Sequence, residues 1–355
     1  MQKRLARLRQ QLADQPFDGL LVVKPENRRY ISGFTGTAGC LLVTAEDAVL
    51  ITDFRYTEQA QEQAPDFHVV QHGTSAPETI RSELIRLGIK RLGFEKDYLT
   101  YGLYSTYLEK FAPVELVPAE GIVEKLRAVK DEEEIAILRQ AAKLADDAFS
   151  HILGYLKPGV SERDVALELE FFMRRQGAAS SSFDIIVASG VRSSLPHGVA
   201  SGKLLEKGDF VTLDFGALYQ GYCSDITRTV VLGEATEKQR EIYEIVLEAQ
   251  LHALQHIKPG MTGQEADALA RDIIREKGYG DHFGHSLGHG LGLYIHEEPR
   301  LSAVSNDVLQ PGMVVTVEPG IYIPGFGGVR IEDDVLLTDS GIERLTGSSK
   351  DLFIL

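Results

Sequence analysis

The chain is short of three things, and each shortage removes a class of explanation. It has two cysteines in 355 residues, Cys40 and Cys223. Two distant thiols cannot staple a chain of this size, so reduced cysteines in a reducing, cytoplasmic compartment are expected rather than a disulfide framework. No run approaches 18 consecutive apolar residues, so no membrane-spanning helix is expected. The start, MQKRLARLRQQLADQPFDGLLVV, is basic, but its apolar run is five residues long, too short for a signal-peptide core. Leu5, Leu8 and Leu12 fall on one side of a helix. An organelle-targeting helix, also Arg-rich and acid-poor, stays open for this segment. Positive charge is the third shortage: 37 Lys and Arg against 52 Asp and Glu leave a net −15. That argues against nucleic acid or an anionic membrane as partner. It leaves room for divalent cations, because a carboxylate cluster that binds them inflates the negative count.

Hydrophobic content of 43% and charged content of 25% are those of an ordinary soluble globular protein. The length exceeds what one core usually supports, so two domains are expected. Over residues 1–120, apolar stretches at 19–23, 40–44, 48–52, 67–71, 91–94 and 114–117 read as strands. Stretches 55–63, 78–87 and 100–111 read as helices between them, giving a compact α/β domain. Residues 121–130 read as the linker to a domain covering 131–355. A long helix is expected to start at the acidic turn 131–134, where negative charge suits the helix dipole.

The second part repeats itself. LKPGVSERDVALELEFFMRRQGA (156–178) and IKPGMTGQEADALARDIIREKGY (257–279) share KPG, a small polar residue and an amphipathic helix. GDFVTLDFG (208–216) likewise matches GMVVTVEPG (312–320), and the two offsets, 101 and 104 residues, nearly agree. Two related halves are therefore expected, each ending in a β-rich stretch that carries acids. Period-two alternation puts Thr212 and Asp214 on one strand face and Thr316 and Glu318 on the equivalent one. Asp225 and Thr227 share a face, as do Arg330, Glu332 and Asp334. A pseudo-twofold between the halves would bring four carboxylates together, and like charges in a low dielectric repel unless something compensates them. Divalent cations are the natural compensation. Four oxygen ligands and an imidazole suit a pair of hard-to-borderline ions such as manganese, cobalt, iron or zinc. One acid on a strand is ordinarily a surface group; a set paired across a repeat and flanked by glycines is not.

Histidines cluster too. His282, His285, His289 and His296 lie within DHFGHSLGHGLGLYIHEE. Glycines at 284, 288, 290 and 292 favour a strand or tight loop over a helix. HEEPR is not the zinc-protease H-E-x-x-H, because Arg300 stands where the second histidine would be. His197, in LPHG, stands alone in the first half.

Taken together, SSLPHG, LDFGALYQGYCSDITRT, HSLGHGLGLYIHEEP, VEPGIY and VRIEDD resemble the metal-dependent creatinase/aminopeptidase superfamily with its pita-bread fold. Within it they resemble the Xaa-Pro branch of prolidases and aminopeptidases P. NRRYISGFTGT and ITDFRYTEQA resemble that family's amino-terminal domain. The resemblance implies an α/β (α+β) fold: a mixed-sheet amino-terminal domain, then a pita-bread domain with an internal pseudo-twofold. It implies that Asp214 binds one metal, that His289 and Glu318 serve the second, and that Asp225 and Glu332 bridge them. His197 and His296 match histidines that contact the substrate and the tetrahedral intermediate, and His285 matches a residue beside the proline pocket. Glu318 is the expected proton shuttle. Arg330 is expected to reach toward the substrate carboxyl end, and Arg300 resembles an arginine near the same end.

The substrate implied is a proline-containing di- or oligopeptide. An arginine clamp on its carboxylate favours a dipeptidase, with aminopeptidase P the alternative. A non-catalytic binding protein on this fold would be expected to have lost ligands, and none is lost here. The resemblance also implies a homodimer, which a sedimentation profile ending at monomer mass would contradict.

Overall fold

The computed structural model describes residues 1–355 and divides into two compact units, Met1–Arg127 and Ala128–Leu355. No helix is long and apolar enough to cross a membrane. Cys40 and Cys223 are both buried and form no disulfide.

The first unit is built on a six-stranded mixed sheet. In spatial order its strands are His68–Gln71, Ala48–Thr52, Cys40–Thr44, Gly19–Val22, Arg91–Glu95 and Glu115–Ala119. The antiparallel pairs join Gly19–Val22, Cys40–Thr44 and Ala48–Thr52, and the outer pairings are parallel. Leu20, Leu21, Leu41, Leu42, Val49 and Leu50 are wholly buried, as continuous apolar runs in a covered sheet should be. The helix Pro25–Ser32 has no side-chain cap of its own. The carboxylate of Glu95, brought from a distant strand, accepts the N–H groups of Val23 and Lys24 and the Asn27 amide instead. The stretch expected as a linker holds the helix Ile122–Ala128. Val123 and Leu126 are buried, so these residues pack rather than span.

The long helix of the second unit, Glu132–Ile152, starts at a capping box between Asp131 and Glu134. Each KPG motif then delivers its small polar residue as a helix cap. Ser161 accepts the Asp164 N–H for Glu162–Arg175, and Thr262 accepts the Glu265 N–H for Gly263–Glu276. Such caps each contribute about 1 kcal/mol.

Each half runs helix, helix and then three strands that form the same sheet order. Ile186–Ser189 and Ile226–Val231 flank Phe210–Phe215. Gly288–Gly290 and Asp333–Leu337 flank Val314–Val317. Val211, Leu213 and Phe215 enter one apolar core with Leu144, Val165 and Leu169. Val315 and Val317 enter another with Ile242, Val246 and Val335. Each fully buried side chain of this kind contributes about 1.5–3 kcal/mol, enough to fix which face of each strand turns inward. The opposite faces carry Thr212 with Asp214 and Thr316 with Glu318, as alternation requires.

One expectation needs correction. Residues 329–334 are not a single strand. Gly327–Arg330 pairs with Gly320–Ile323, whereas Asp333–Leu337 belongs to the five-stranded sheet. Ile331 and Glu332 lie where the chain passes from one sheet to the other, and the Glu332 N–H donates to the Thr227 carbonyl. Strand alternation therefore does not link Arg330, Glu332 and Asp334, although all three side chains are buried.

Candidate metal centre

A cavity of about 530 Å³ lies in the second unit, and all ten side chains singled out from the sequence line it: His197, Asp214, Asp225, His285, His289, His296, Arg300, Glu318, Arg330 and Glu332. Phe183, Ile186, Pro196, Val199 and Ile295 supply apolar wall. His282, the fourth histidine of the cluster, is not among the lining residues; its Nδ1 meets the Tyr322 carbonyl.

Asp214 sits on the central strand of the first half, opposite Thr227 in register. One of its oxygens accepts from Arg330 Nη2 at 2.5 Å; the other is buried without a hydrogen-bond partner. Asp225 immediately precedes the neighbouring strand. Its backbone N–H donates to Asp334 Oδ2 at 2.9 Å, while its own Oδ1 is buried and unpartnered. From the second half comes Glu332, held by a 2.5 Å bond from Thr227 Oγ1, and Glu318, which accepts from Thr316 Oγ1 at 3.1 Å.

His289 lies between two glycines that have no room for a side chain. A Cβ on Gly288 would stand 2.0 Å from the Thr316 carbonyl oxygen, and one on Gly290 2.2 Å from that of Glu298. Those glycines let the flanking strands close on the histidine from both sides. His289 Nδ1 lies 3.1 Å from the Gly290 carbonyl, an acceptor only, which assigns the ring proton to Nδ1. The Nε2 lone pair then faces Glu318 at 3.5 Å and Asp225 at 3.8 Å. Burial, then the positive potential of His296, lowers the His289 pKa to about 3, so the ring is neutral at pH 7.

The acids are driven the other way. Burial, then the charges of Glu332 and Asp214, raises Asp225 well above the usual carboxylate range. Burial, then Glu318 and Asp214, does the same to Glu332. Glu318 is pushed up to about 8 by burial and by Asp214, against the pull of Arg330 and Thr316. Buried carboxylates this close cannot all ionise without a counter-charge.

These features fit divalent metal. Atoms of Asp225, His289 and Glu332 that could ligate lie within 4.8 Å of one another. Two acids keep a buried oxygen that no protein donor satisfies, and the imidazole offers a bare nitrogen. Such a donor set suits borderline divalent ions.

Arg330 lines the cavity, but its donors are engaged within the protein. Nε donates to Thr227 Oγ1, Nη1 to Tyr322 Oη and Nη2 to Asp214. The expectation that it reaches toward a substrate carboxyl end therefore meets a guanidinium already committed to orienting Asp214. Tyr322 passes the chain on: its hydroxyl accepts from Arg330 and lies 2.8 Å from His285 Nε2. With His285 Nδ1 on the Ser286 carbonyl, Nε2 is the acceptor and Tyr322 the donor. Burial, then the Arg330 charge, lowers His285 to about 4.

Arg300 is different. It is exposed, lies opposite His289 in strand register, and makes only a backbone hydrogen bond, to Asp307. His197 and His296 are exposed at the cavity mouth, and the His296 ring meets that of His289 edge-on at 4.4 Å.

Tyr322 and the apolar wall were not singled out from the sequence. Tyr322 lies in the VEPGIY motif and could have been flagged as an aromatic beside a ligand. Phe183, Ile186 and Ile295 carry no local signal, since an apolar residue on a strand or loop ordinarily means core.

Comparison with known proteins agrees with this geometry. Residues 136–339 match "Metallopeptidase family M24" and residues 4–129 match "Creatinase/Prolidase N-terminal domain". The chain is similar to the Xaa-Pro dipeptidase of Pyrococcus horikoshii, 46% identical over 340 residues covering 94% of each chain. Among solved structures, an Xaa-Pro dipeptidase from Bacillus anthracis superposes with a TM-score of 0.98 at 58% identity, covering 100% of this chain and 99% of the other. An X-Pro aminopeptidase from Thermotoga maritima gives 0.90 at 41% identity, covering 98% and 100%.

Proposed function

Since the chain belongs to metallopeptidase family M24 and is a metallopeptidase, we propose that it hydrolyses the bond preceding proline in short peptides, acting first as an Xaa-Pro dipeptidase. The observation that carries this reading is one cavity holding five ligand-type side chains, two of them with buried oxygens no protein donor satisfies. Relatives at 46% and 58% identity named Xaa-Pro dipeptidase support the bond specificity.

In this reading Asp214, Asp225, His289, Glu318 and Glu332 hold two divalent ions, manganese first, with cobalt, zinc or iron as alternatives. Such a pair supplies a water of lowered pKa and polarises the scissile carbonyl. The protein's own groups do the rest. Glu318 takes a proton from the attacking water and returns it to the leaving imide nitrogen, a role open to a carboxylate that lines the cavity beside the other ligands. His296 and His197, at the cavity mouth, donate hydrogen bonds to the charge that develops on the former carbonyl oxygen.

Proline's nitrogen bears no hydrogen, so recognition must come from shape, and apolar wall with His285 supplies it. Arg300, whose backbone N–H and not its guanidinium meets the Asp307 carboxylate, is the clamp for the product-side carboxylate. The same reading carries a homodimer in a reducing, cytoplasmic compartment, consistent with two buried cysteines outside any disulfide.

Removing the His296 ring should leave metal content unchanged and lower kcat by about 100-fold, the usual effect of losing one well-placed donor to developing charge. His296→Ala with wild-type turnover would make the residue structural.

The deciding assay is hydrolysis of Ala-Pro and Ala-Pro-Ala, with manganese or cobalt and after chelation. Metal-dependent cleavage of the dipeptide alone is expected. Preferential cleavage of the tripeptide would favour aminopeptidase P, the second reading, which the similarity to the Thermotoga maritima enzyme keeps in view. Cleavage of neither by metal-loaded protein would overturn the Xaa-Pro assignment.

A further inference from the structure

The wall that carries His197 is a loop whose two ends are tied to one carboxylate. Glu162 follows the cap of the helix Glu162–Arg175 and is completely buried. Its Oε1 accepts the N–H of Ser189 at 2.8 Å and the Ser189 hydroxyl at 2.8 Å. Its Oε2 accepts the N–H of Ser201 at 3.0 Å and the Ser201 hydroxyl at 2.6 Å. Arg192 Nε lies between the two oxygens at 3.2 and 3.0 Å, and its Nη2 donates across the loop to the Val199 carbonyl at 2.8 Å. The loop has other ties as well: the Gly328 N–H donates to the buried Ser193 hydroxyl at 2.9 Å, and the Ala200 N–H to the Ile185 carbonyl. Val191, Leu195, His197 and Val199 are exposed. Pro196, His197 and Val199 nevertheless line the cavity.

The second half repeats the device with different residues. Asp267, buried on the helix Gly263–Glu276, accepts the N–H of Leu287 at 2.9 Å and is paired with Arg271. Arg271 in turn donates to the carbonyls of Phe283 and His285 at 2.9 and 2.7 Å. Each half thus places a buried carboxylate from the helix after KPG, paired with an arginine, against the loop that bears a cavity histidine. The residues do not correspond one to one: Arg192 sits on its loop, whereas Arg271 sits on the helix. The arrangement is therefore not a simple copy of one ancestral contact.

We propose that Glu162 is a positioning residue for catalysis: it fixes residues 189–201 so that His197 and the apolar wall beside it meet the substrate, and it contributes nothing to metal binding. The catalytic consequence rests on the peptidase reading above; the structural one does not. An amide in place of the carboxylate leaves one acceptor oxygen and turns an NH₂ group toward N–H and O–H donors that need acceptors.

The experiment compares wild type, Glu162→Gln and Ser201→Ala as metal-loaded full chains. It reads metal content, kcat and KM for Ala-Pro, and amide hydrogen exchange resolved by segment. In Glu162→Gln, exchange is expected to accelerate within 189–201 and not at the ligand-bearing strands. Metal content should stay at the wild-type value, and kcat/KM should fall about 10- to 100-fold, the scale of a misplaced catalytic wall. Ser201→Ala, which removes the hydroxyl bond to Glu162 and the one accepted from the Lys203 N–H but keeps the charge, should move the same readouts in the same direction by less. It keeps the test alive should Glu162→Gln fail to fold. Unchanged exchange in 189–201 in the folded variants overturns the proposal. So does a fall in activity that tracks loss of metal. If no Xaa-Pro peptide is cleaved even by wild type, the exchange data still decide whether Glu162 positions the loop.

Discussion

Glu332→Gln is expected to empty the metal centre, lower turnover by more than about 100-fold, and yet stabilise the metal-free fold. The lower bound follows because residues merely supporting a metal ligand already cost about 10- to 100-fold when lost, and in the proposed function Glu332 would itself be a ligand. Glutamine fits the same space and keeps an oxygen for the Thr227 hydroxyl, which lies 2.5 Å from Glu332. It cannot offer two anionic oxygens. The gain in metal-free stability has a separate cause. Glu332 is buried, and its pKa is raised by burial first and by the charges of Glu318 and Asp214 next. Deleting one charge relieves the rest. Metal analysis and thermal melts in chelator check both halves. Full metal content, or turnover within tenfold of wild type, would overturn the assignment of Glu332.

Chelation is expected to give the protein a stability that falls as pH rises from about 6.5 to 8, a slope that bound metal removes. Glu318, whose ordinary pKa is 4.5, is pushed up to about 8 in the fold, and Asp225, Glu332 and Asp334 are raised as well. A carboxylate raised in this way binds its proton more tightly folded than unfolded. Its contribution is complete below the unfolded pKa and is lost as pH climbs through the folded one. The buried histidines oppose this at lower pH. His289 and His285 fall from 6.5 to about 3 and about 4, so the unfolded chain binds the extra protons there and their contribution grows with pH up to about 6.5. At pH 6.5 the unfolded histidines are already half titrated, so from there the four raised carboxylates outweigh them, and above about pH 7.5 the carboxylates act alone. Divalent ions displace those protons on binding, and at 100 times Kd a ligand adds about 2.7 kcal/mol. Denaturant titrations at pH 6.5 and 8, with metal and with chelator, read the difference. Equal slopes in the two series, or a rise with pH in chelator, would refute this account of the acid cluster.

Both effects trace to carboxylates whose spacing is visible in the chain. The KPG repeat, the matching GDFVTLDFG and GMVVTVEPG segments and strand alternation bring Asp214, Asp225, Glu318 and Glu332 forward with no structure in hand. That works because strand periodicity is local, and an internal repeat turns one local pattern into a prediction about two. The strands of the amino-terminal unit were legible for the same reason: short apolar runs bounded by turn residues have few other ways to be buried. Alternation failed where it was carried through residues 329–334, because the chain changes sheets at Ile331 and Glu332, and a change of sheet leaves no mark on the pattern.

The sequence by itself determined the residue types of the centre, the two-domain plan and the doubled architecture, since composition, periodicity and repetition are properties of the chain. Only the tertiary structure decided who holds whom. That Arg330 grips Asp214 rather than reaching outward depends on contacts across 116 positions. The bond from Thr227 to Glu332 crosses 105. Along the chain Glu162 is an acid in the first turn of a helix, where its charge suits the helix dipole. It becomes the anchor of the His197 wall only when folding buries it against Ser189 and Ser201. A buried carboxylate must find donors wherever the fold brings them, and no local pattern records which ones those will be.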